Sequence, residues 1–220
     1  MFYQGTAAWA SPDFAWVLDF ETHMPAIIAE FDAAGLFAGE AGGEMDAIGA
    51  ASDYAVDRNL YSGSPGKWHG VDVWAAGKGA PRADRFPVLL AALAAVIPSA
   101  LNYGRVLFSV ALPGLKIAPH CGPHNERLTV HCGVHIPRGP RAEQPWLKVA
   151  GDAHHWEQSK CVIFDDSFEH EVEYPAGTGG EPRVILFFHI PHPMIADGSV
   201  QSFMEPVAVS TEWAGTTAEL

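Results

Sequence analysis

Histidines concentrate between residues 117 and 137, IAPHCGPHNERLTVHCGVHIP, a segment that holds four of the chain's eleven. In its second half, apolar and polar residues alternate with the period of two that is typical of a β-strand. One face of this strand is apolar, and the other carries Arg127, Thr129, His131 and His135. Polar side chains in a protein interior need partners, and a metal ion or an anion can be the partner. The segment therefore predicts a strand that lines a polar site.

Residues on both sides of this strand could contribute to the same site. His120 lies just before the strand, in a rigid Pro-His-Cys-Gly-Pro turn, and His170 follows an apolar run at 161–164 and a polar turn. Arg183 stands at the entrance of a third predicted strand, residues 182–193. In a jelly roll, His120 and His170 are expected to face each other across the mouth of the barrel. The spacing alone leaves both a metal site and a pair of structural histidines open.

The first hundred residues have a different pattern. Residues 1–21 are rich in aromatic side chains and are predicted to form an extended segment packed on the domain. Helices are predicted over 22–35, with a threonine as N-cap and a glycine at the end, and over 84–96, before a proline. Residues 36–67 are rich in Gly, Ala, Ser and Asp. We predict loops there, around a weak helix near 45–54, as either a substrate lid or plain surface.

From residue 103 onward, short strands and turns predict a sandwich or a barrel, and a jelly roll is one of these. The expected fold is mainly β, a double-stranded β-helix (jelly roll) with flanking N-terminal helices. A length of 220 residues fits a single domain. Within this single catalytic domain we predict helical and loop support over 1–100, the jelly-roll core over 101–193 and a C-terminal tail over 194–220.

Composition narrows the possible partners. A net charge of −13 excludes a basic patch for nucleic acid. No secretory leader is visible, and the longest apolar run, residues 88–97, is too short to span a bilayer. The three cysteines lack framework spacing and predict reduced thiols in a cytosol. We therefore expect a cytoplasmic protein with no nucleic-acid or membrane partner, whose oligomeric state the sequence leaves undetermined.

Four segments resemble the aspartyl/asparaginyl β-hydroxylase family of oxygenases that depend on iron and 2-oxoglutarate. They are PHCGP at 119–123, NERLTVHCGVHIPRG at 125–139, WEQSKCVIFDDSFEHEVE at 156–173 and RVILFFHIPHP at 183–193. The resemblance covers residues 101–193 and implies a jelly roll that uses Fe(II), 2-oxoglutarate and O₂. The implied product of the reaction is a hydroxylated carbon, with release of succinate and CO₂.

The resemblance also implies roles for single residues. His120 and His170 match the family's two metal ligands. Arg183 matches the arginine that holds the far carboxylate of 2-oxoglutarate, a role for which a bidentate, permanently charged side chain is suited. Ser109 matches a serine that supports the same carboxylate, and His131 a histidine beside the co-substrate.

Position 122 departs from the commonest iron site of such oxygenases. That site has two histidines and a carboxylate, and the carboxylate usually lies two residues after the first histidine. Here that residue is Gly122, as in the resembled family, so water is expected in the vacant position. An aspartate placed at 122 is then expected to add an anionic ligand. Asp165 and Asp166 are expected to orient their turn or to lie in the second shell around the metal.

Substrate binding is predicted for Arg127 and Thr129, and no acid–base catalyst is assigned. Family members that act on protein domains carry Arg-Leu-Arg here, whereas this chain has Thr at 129 and so one cation fewer. The expected substrate is Asp/Asn-like, another small acid or a peptide. Two alternatives remain open: a cupin-like metalloenzyme that does not use 2-oxoglutarate, and a non-catalytic jelly roll that binds a ligand.

Overall fold

The computed structural model describes residues 2–3, 11–37, 46–47, 67–75, 77–102, 104–176 and 180–194. The α-helices of these residues are α1 (Trp16–Ala34), α2 (Pro87–Val96) and α3 (Pro98–Asn102). The strands are β1 (Phe2–Tyr3), β2 (Asp46–Ala47), β3 (Trp68–Ala75), β4 (Lys78–Gly79), β5 (Arg105–Ala111), β6 (Lys116–His120), β7 (Arg127–His135), β8 (Trp146–Val149), β9 (Asp152–His155), β10 (Cys161–Phe164), β11 (His170–Glu173) and β12 (Arg183–Pro191).

The strands form two sheets, and the chain alternates between them. The larger sheet has the order β1-β10-β7-β12-β5-β3-β2, with β4 paired to β3, and the smaller has the order β6-β11-β8-β9. From β5 to β12 the chain passes back and forth between the sheets, and only the β8–β9 hairpin stays within one. This alternation of antiparallel strands is the topology of a jelly roll. The predicted double-stranded β-helix with flanking N-terminal helices is confirmed.

Apolar side chains pack against both faces of the larger sheet, in two separate clusters. Its outer face packs on the helices, where the ring centroids of Phe108 and Phe188 lie 4.7 Å from Phe31 and 5.6 Å from Phe20. A smaller cluster, which includes Val172, lies between the sheets. Because successive residues of a strand point to opposite faces, Arg127, Thr129 and His131 of β7 point away from the helices and toward the smaller sheet. The expectation that His135 shares this face is wrong: beyond a register shift in the strand, its Nε2 lies 2.6 Å from Asp32 Oδ1 on α1. The site is therefore expected between the sheets.

Helix α1 begins earlier than the sequence indicates. The prediction of an extended segment over 1–21 is confirmed at β1, which pairs with β10, and is wrong for residues 16–21, which are helical. Residues 4–10 of that segment lie outside the described residues. Thr22 lies inside the helix rather than at its N-cap, and its hydroxyl donates to the Asp19 carbonyl. The helix starts at Trp16 because a buried stripe spaced three or four residues apart already begins at Val17. Gly35 ends the helix in a left-handed conformation, as predicted.

The second helical region is also more divided than expected. A 3-10 turn at Ala83–Arg85 precedes α2, and the carboxylate of Glu30 accepts hydrogen bonds from the Val88 and Leu89 N–H groups at the start of α2. Pro98 does not simply close the region; it opens the short helix α3. None of the helices in the described part of the chain combines the length and apolarity needed to cross a membrane.

Strands from both halves of the chain form the larger sheet. Strand β3 comes from the first half of the chain and pairs with β5. At Asp46–Ala47, where a weak helix was predicted, the chain forms strand β2 against β3. Most of residues 36–67 and of the predicted tail from 194 lie outside the described residues, so the lid interpretation stays a prediction.

Two of the three cysteines are joined. Cys132 and Cys161 lie opposite each other on β7 and β10 and form a disulfide, whereas Cys121 is free and exposed. The expectation of reduced thiols is therefore wrong for two of the three. Pairing here depends on strand register, which cysteine spacing along the chain does not reveal. The cysteine count consequently gives no support to a cytoplasmic location.

Candidate metal and co-substrate site

His120 and His170 lie side by side. His120 ends β6, His170 begins β11, and the two are direct partners in the smaller sheet, with ring centroids 4.1 Å apart. The expectation that they face each other across the barrel mouth is wrong, because their strands are neighbours. The smaller sheet thus brings the two imidazoles together without a contribution from the larger one.

Backbone carbonyls orient both rings. The Nδ1 atom of His120 lies 2.8 Å from the Ala118 carbonyl, and that of His170 lies 2.9 Å from the Phe168 carbonyl. Since a carbonyl only accepts, each Nδ1 carries the proton and each Nε2 keeps its lone pair. Burial, with His120 as the second cause, lowers the pKa of His170 to about 4, so its ring is neutral at pH 7. Two imidazoles held in this orientation are suited to bind a divalent transition metal.

Arg183 is a buried cation at the start of β12. Its side chain lies over the Trp156 ring, 4.6 Å from the ring centroid, and Nη2 donates to Ser109 Oγ at 3.3 Å. Only 2% of Arg183 is exposed, and no carboxylate in the described residues pairs with it. Burial lowers its pKa to about 9, which leaves it protonated at neutral pH. A buried charge is costly without a counter-ion, so this guanidinium is suited to bind an anionic ligand.

Ser109 has a hydroxyl proton available for such an anion. Its Oγ accepts hydrogen bonds from the Trp68 indole N–H at 2.9 Å and from Arg183. With both lone pairs engaged, the O–H remains available to donate to a ligand. Trp68 and Trp156 were not predicted from the sequence, because a lone tryptophan beside a strand carries no spacing signal.

His131 connects the two halves of the site. Its ring packs against Phe164 and Phe187, with centroids 5.0 and 5.2 Å away, and its Nδ1 has no hydrogen-bond partner among the described residues. Burial lowers the pKa of His131 well below its usual value, and the charges of Arg183 and His170 lower it further. Arg183 and His170 therefore both lie within electrostatic range of the His131 ring, so the histidine pair and the buried arginine are close to the same residue.

The two residues predicted to bind substrate share the inner face of β7 with His131. Arg127 is buried and donates from Nη2 to Asp166 Oδ2 at 2.9 Å. Thr129 is 1% exposed, and its hydroxyl oxygen has no hydrogen-bond partner among the described residues. Arg127 is thus neutralised inside the protein, whereas Thr129 retains an unused polar group.

The space beside Gly122 is filled by a carboxylate from another turn. A Cβ placed on Gly122 would lie 2.6 Å from Asp166 Cγ, and the Gly122 N–H donates to the Asp166 backbone carbonyl. Asp165 instead accepts bonds from the Ser167 N–H and hydroxyl, at 3.0 and 2.6 Å, and so shapes the turn. No group of three or more His, Cys, Asp or Glu side chains within the described ranges is arranged to share a single ion. Asp166 therefore lies near the histidine pair without completing a three-residue site.

The fold and this site define a jelly-roll protein with a two-histidine centre and a buried arginine. Residues 21–193 match the model of the family described as aspartyl/asparaginyl beta-hydroxylase. The match covers most of the chain, and the protein belongs to this family.

Curated relatives match part of the chain. Mouse aspartate beta-hydroxylase domain-containing protein 1 is 36% identical over 104 residues, which cover 47% of this chain and 28% of that protein. Human aspartyl/asparaginyl beta-hydroxylase is 32% identical over 148 residues, 62% of this chain and 17% of that protein. The chain thus spans about a quarter of the first relative's length and less than a fifth of the second's. Among solved structures, a Pseudomonas putida prolyl-4-hydroxylase has a TM-score of 0.42 at 16% identity, covering 80% of this chain and 87% of its own.

Proposed function

We propose that this protein is an Fe(II)- and 2-oxoglutarate-dependent oxygenase. It hydroxylates an unactivated carbon of an Asp/Asn-like or other small-acid or peptide substrate. The observation that carries the proposal is the combination, around His131, of two histidines with available Nε2 atoms and a buried arginine without a carboxylate partner. A structural histidine pair requires no such arginine, and a simple anion site requires no such pair.

The donor set fits iron. Imidazole nitrogen is a common ligand of Fe(II), and both rings are held by a backbone carbonyl in the tautomer that a metal requires. His120 and His170 would hold the ion. When bound, Fe(II) supplies the redox chemistry by which O₂ oxidises 2-oxoglutarate to succinate and CO₂ and adds one oxygen atom to the substrate carbon.

The larger sheet supplies the co-substrate pocket. 2-Oxoglutarate carries a carboxylate at each end, and Arg183 with the Ser109 hydroxyl would bind the carboxylate far from the metal. The Trp156 ring keeps water from the guanidinium, which strengthens its attraction for an anion. The neutral His131, packed between aromatic rings, offers an uncharged wall beside the co-substrate.

Asp166 has a positioning role in this proposal. Arg127 and the Gly122 backbone hold it, and its Oδ1 is buried without a hydrogen-bond partner among the described residues. That oxygen is available to accept a hydrogen bond from a water molecule in the site. Asp166 can thus order water near the histidines while its own charge is balanced by Arg127.

Anaerobic titration with Fe(II), with and without 2-oxoglutarate, tests the proposal. The complex of enzyme, iron and 2-oxoglutarate is expected to show a weak visible charge-transfer band that is absent without the co-substrate. Iron binding without the band would favour a cupin-like metalloenzyme that does not use 2-oxoglutarate. No iron binding at all would favour a jelly roll that only binds a ligand.

A further inference from the structure

The inner face of the larger sheet has little positive charge left for a substrate. Three arginines occupy this face in the described residues: Arg105, Arg127 and Arg183. Arg127 is paired with Asp166. Arg105 makes a two-pronged ion pair with Asp72, with its Nη2 2.6 Å from Asp72 Oδ2 and its Nε against Oδ1. Under the proposed function, Arg183 binds 2-oxoglutarate, so its charge is not available to the substrate.

Thr129 lies among these paired charges. It is the strand partner of Phe164 on β10 and of His189 on β12, and the Phe164 ring centroid lies 5.6 Å from that of His170. Burial lowers the pKa of His189 well below its usual value, so this neighbour is uncharged at neutral pH. Two cations, Arg127 and Arg105, lower the pKa of His189 further, and each of them is paired with an aspartate. Thr129 is therefore a buried hydrogen-bonding group beside an uncharged ring and two paired cations.

The Thr129 hydroxyl is a buried polar group whose hydrogen bonding is incomplete. Only 1% of the residue is exposed, and its oxygen lacks a hydrogen-bond partner among the described residues. An unpaired buried hydroxyl destabilises a protein, so natural structures rarely keep one without a use. A hydroxyl both donates and accepts, which matches a carboxamide or another hydroxyl; a carboxylate can only accept.

We propose that Thr129 is a specificity residue and that the substrate group bound beside it is uncharged, a carboxamide or a hydroxyl rather than a carboxylate. The inference rests on the proposed function and selects among the substrates that function allows. A carboxylate here would lose its hydration and find its neighbouring arginines already paired, whereas an amide would complete the hydrogen bonding of Thr129.

Matched acid and amide probes test this inference on the full chain loaded anaerobically with Fe(II) and 2-oxoglutarate. The probes are blocked amino acids and tripeptides in pairs, Asp against Asn and Glu against Gln, together with Ser and Thr. Binding is measured as a change in the visible band, and turnover as stimulated succinate release. The uncharged probes are expected to bind at least about 30-fold more tightly than the acids. A preference for the acids, or no binding by any probe, overturns the inference.

Two variants make the test specific to Thr129. Thr129→Val keeps the shape but removes the hydroxyl, and is expected to lose about tenfold in amide binding while 2-oxoglutarate binding is unchanged. Thr129→Arg adds an unpaired cation and is expected to shift the preference toward acids. Equal probe preferences in wild type and both variants would overturn the role of Thr129.

Thermal unfolding separates this role from a structural one. Because the Thr129 hydroxyl has no partner, Thr129→Val is expected to keep or raise the melting temperature; a decrease would indicate a structural hydroxyl and overturn the inference. If wild-type protein forms no complex with 2-oxoglutarate, the proposed function fails first. If the complex forms and prefers acids, only the present inference fails.

Discussion

The carboxylate of Asp166 occupies the space into which a side chain at Gly122 would project. A Cβ at position 122 would lie 2.6 Å from Asp166 Cγ and 2.7 Å from Oδ2, closer than van der Waals contact allows. A side chain at residue 122 and the Asp166 carboxylate therefore cannot both occupy this space.

A first prediction follows for Gly122→Asp. From the sequence, the new carboxylate was expected to strengthen iron binding with the fold intact. In the structure it must displace Asp166, which breaks the buried ion pair between Asp166 and Arg127. We expect a loss of about 3 kcal/mol in the free energy of unfolding, measured by urea denaturation. The double variant Gly122→Asp with Asp166→Ala restores both space and charge and is expected to recover much of this loss. A single variant as stable as wild type would contradict this steric conflict.

A second prediction concerns the histidine pair. His120→Ala and His170→Ala each remove one of two ligands, so each is expected to weaken Fe(II) binding by at least about 100-fold, because loss of even an outer contact can cost that much. Anaerobic equilibrium dialysis measures the affinity. His23→Ala, a change of the same type on α1, is the matched control and is expected to bind iron normally. Normal affinity in either ligand variant would reject the metal assignment.

A third prediction concerns Arg183. Loss of a buried bidentate contact costs about 3–5 kcal/mol, so Arg183→Met is expected to weaken 2-oxoglutarate binding by about two to four orders of magnitude with iron binding retained. Without the co-substrate, the same variant is expected to be more stable than wild type by about 1 kcal/mol, since a buried unpaired charge is removed. Arg138→Ala, in an exposed loop, is the control. An unchanged 2-oxoglutarate requirement would move the role to another arginine.

A fourth prediction concerns pH. Burial lowers the pKa of both His170 and His154 to about 4, from 6.5 in the unfolded chain. Between about pH 4 and 6.5 the unfolded state therefore binds more protons, so stability falls as the pH drops through this window and is unaffected by these groups above it. Each histidine contributes a slope of up to about 1.4 kcal/mol per pH unit.

Urea denaturation at several pH values measures that slope. His170→Asn and His154→Asn are each expected to reduce it, and the double variant to reduce it further. The same slope in wild type and in all three variants would contradict the buried, neutral state of these rings.

A fifth prediction concerns the disulfide between Cys132 and Cys161. The bond closes a loop with a sequence separation of 29 residues. In the chain-entropy model, such a loop stabilises the fold by about 3–4 kcal/mol. Dithiothreitol is therefore expected to lower the urea midpoint of the wild type but not of the Cys132→Ala, Cys161→Ala double variant. Under non-reducing conditions, a thiol reagent should label one cysteine in the unfolded protein; three labelled thiols would contradict the bond.

Local patterns in the sequence predicted much of the fold. The alternation over 127–135 predicted β7, because the period of two is a property of the strand itself. The short strands and turns from residue 103 onward predicted a sandwich or a barrel, and the family resemblance selected the jelly roll among these. The start of α1 at Trp16 was missed, because aromatic residues suit both strands and helices until their buried neighbours are known. The likeness of the sequence to the family identified His120, His170 and Arg183 as the residues to consider.

The arrangement of the candidate site and of the cysteines depends on pairing between strands that are far apart in the sequence. This pairing placed His120 opposite His170 on adjacent strands, brought Cys132 against Cys161, and set Asp166 into the space at Gly122. It also paired Arg127 with Asp166, whereas among the described residues Arg183 contacts Ser109 and the Trp156 ring and no carboxylate. Which buried charges are neutralised depends on contacts between residues tens of positions apart. No local period in the sequence encodes such contacts, because the register of packed sheets sets them only when the chain is folded.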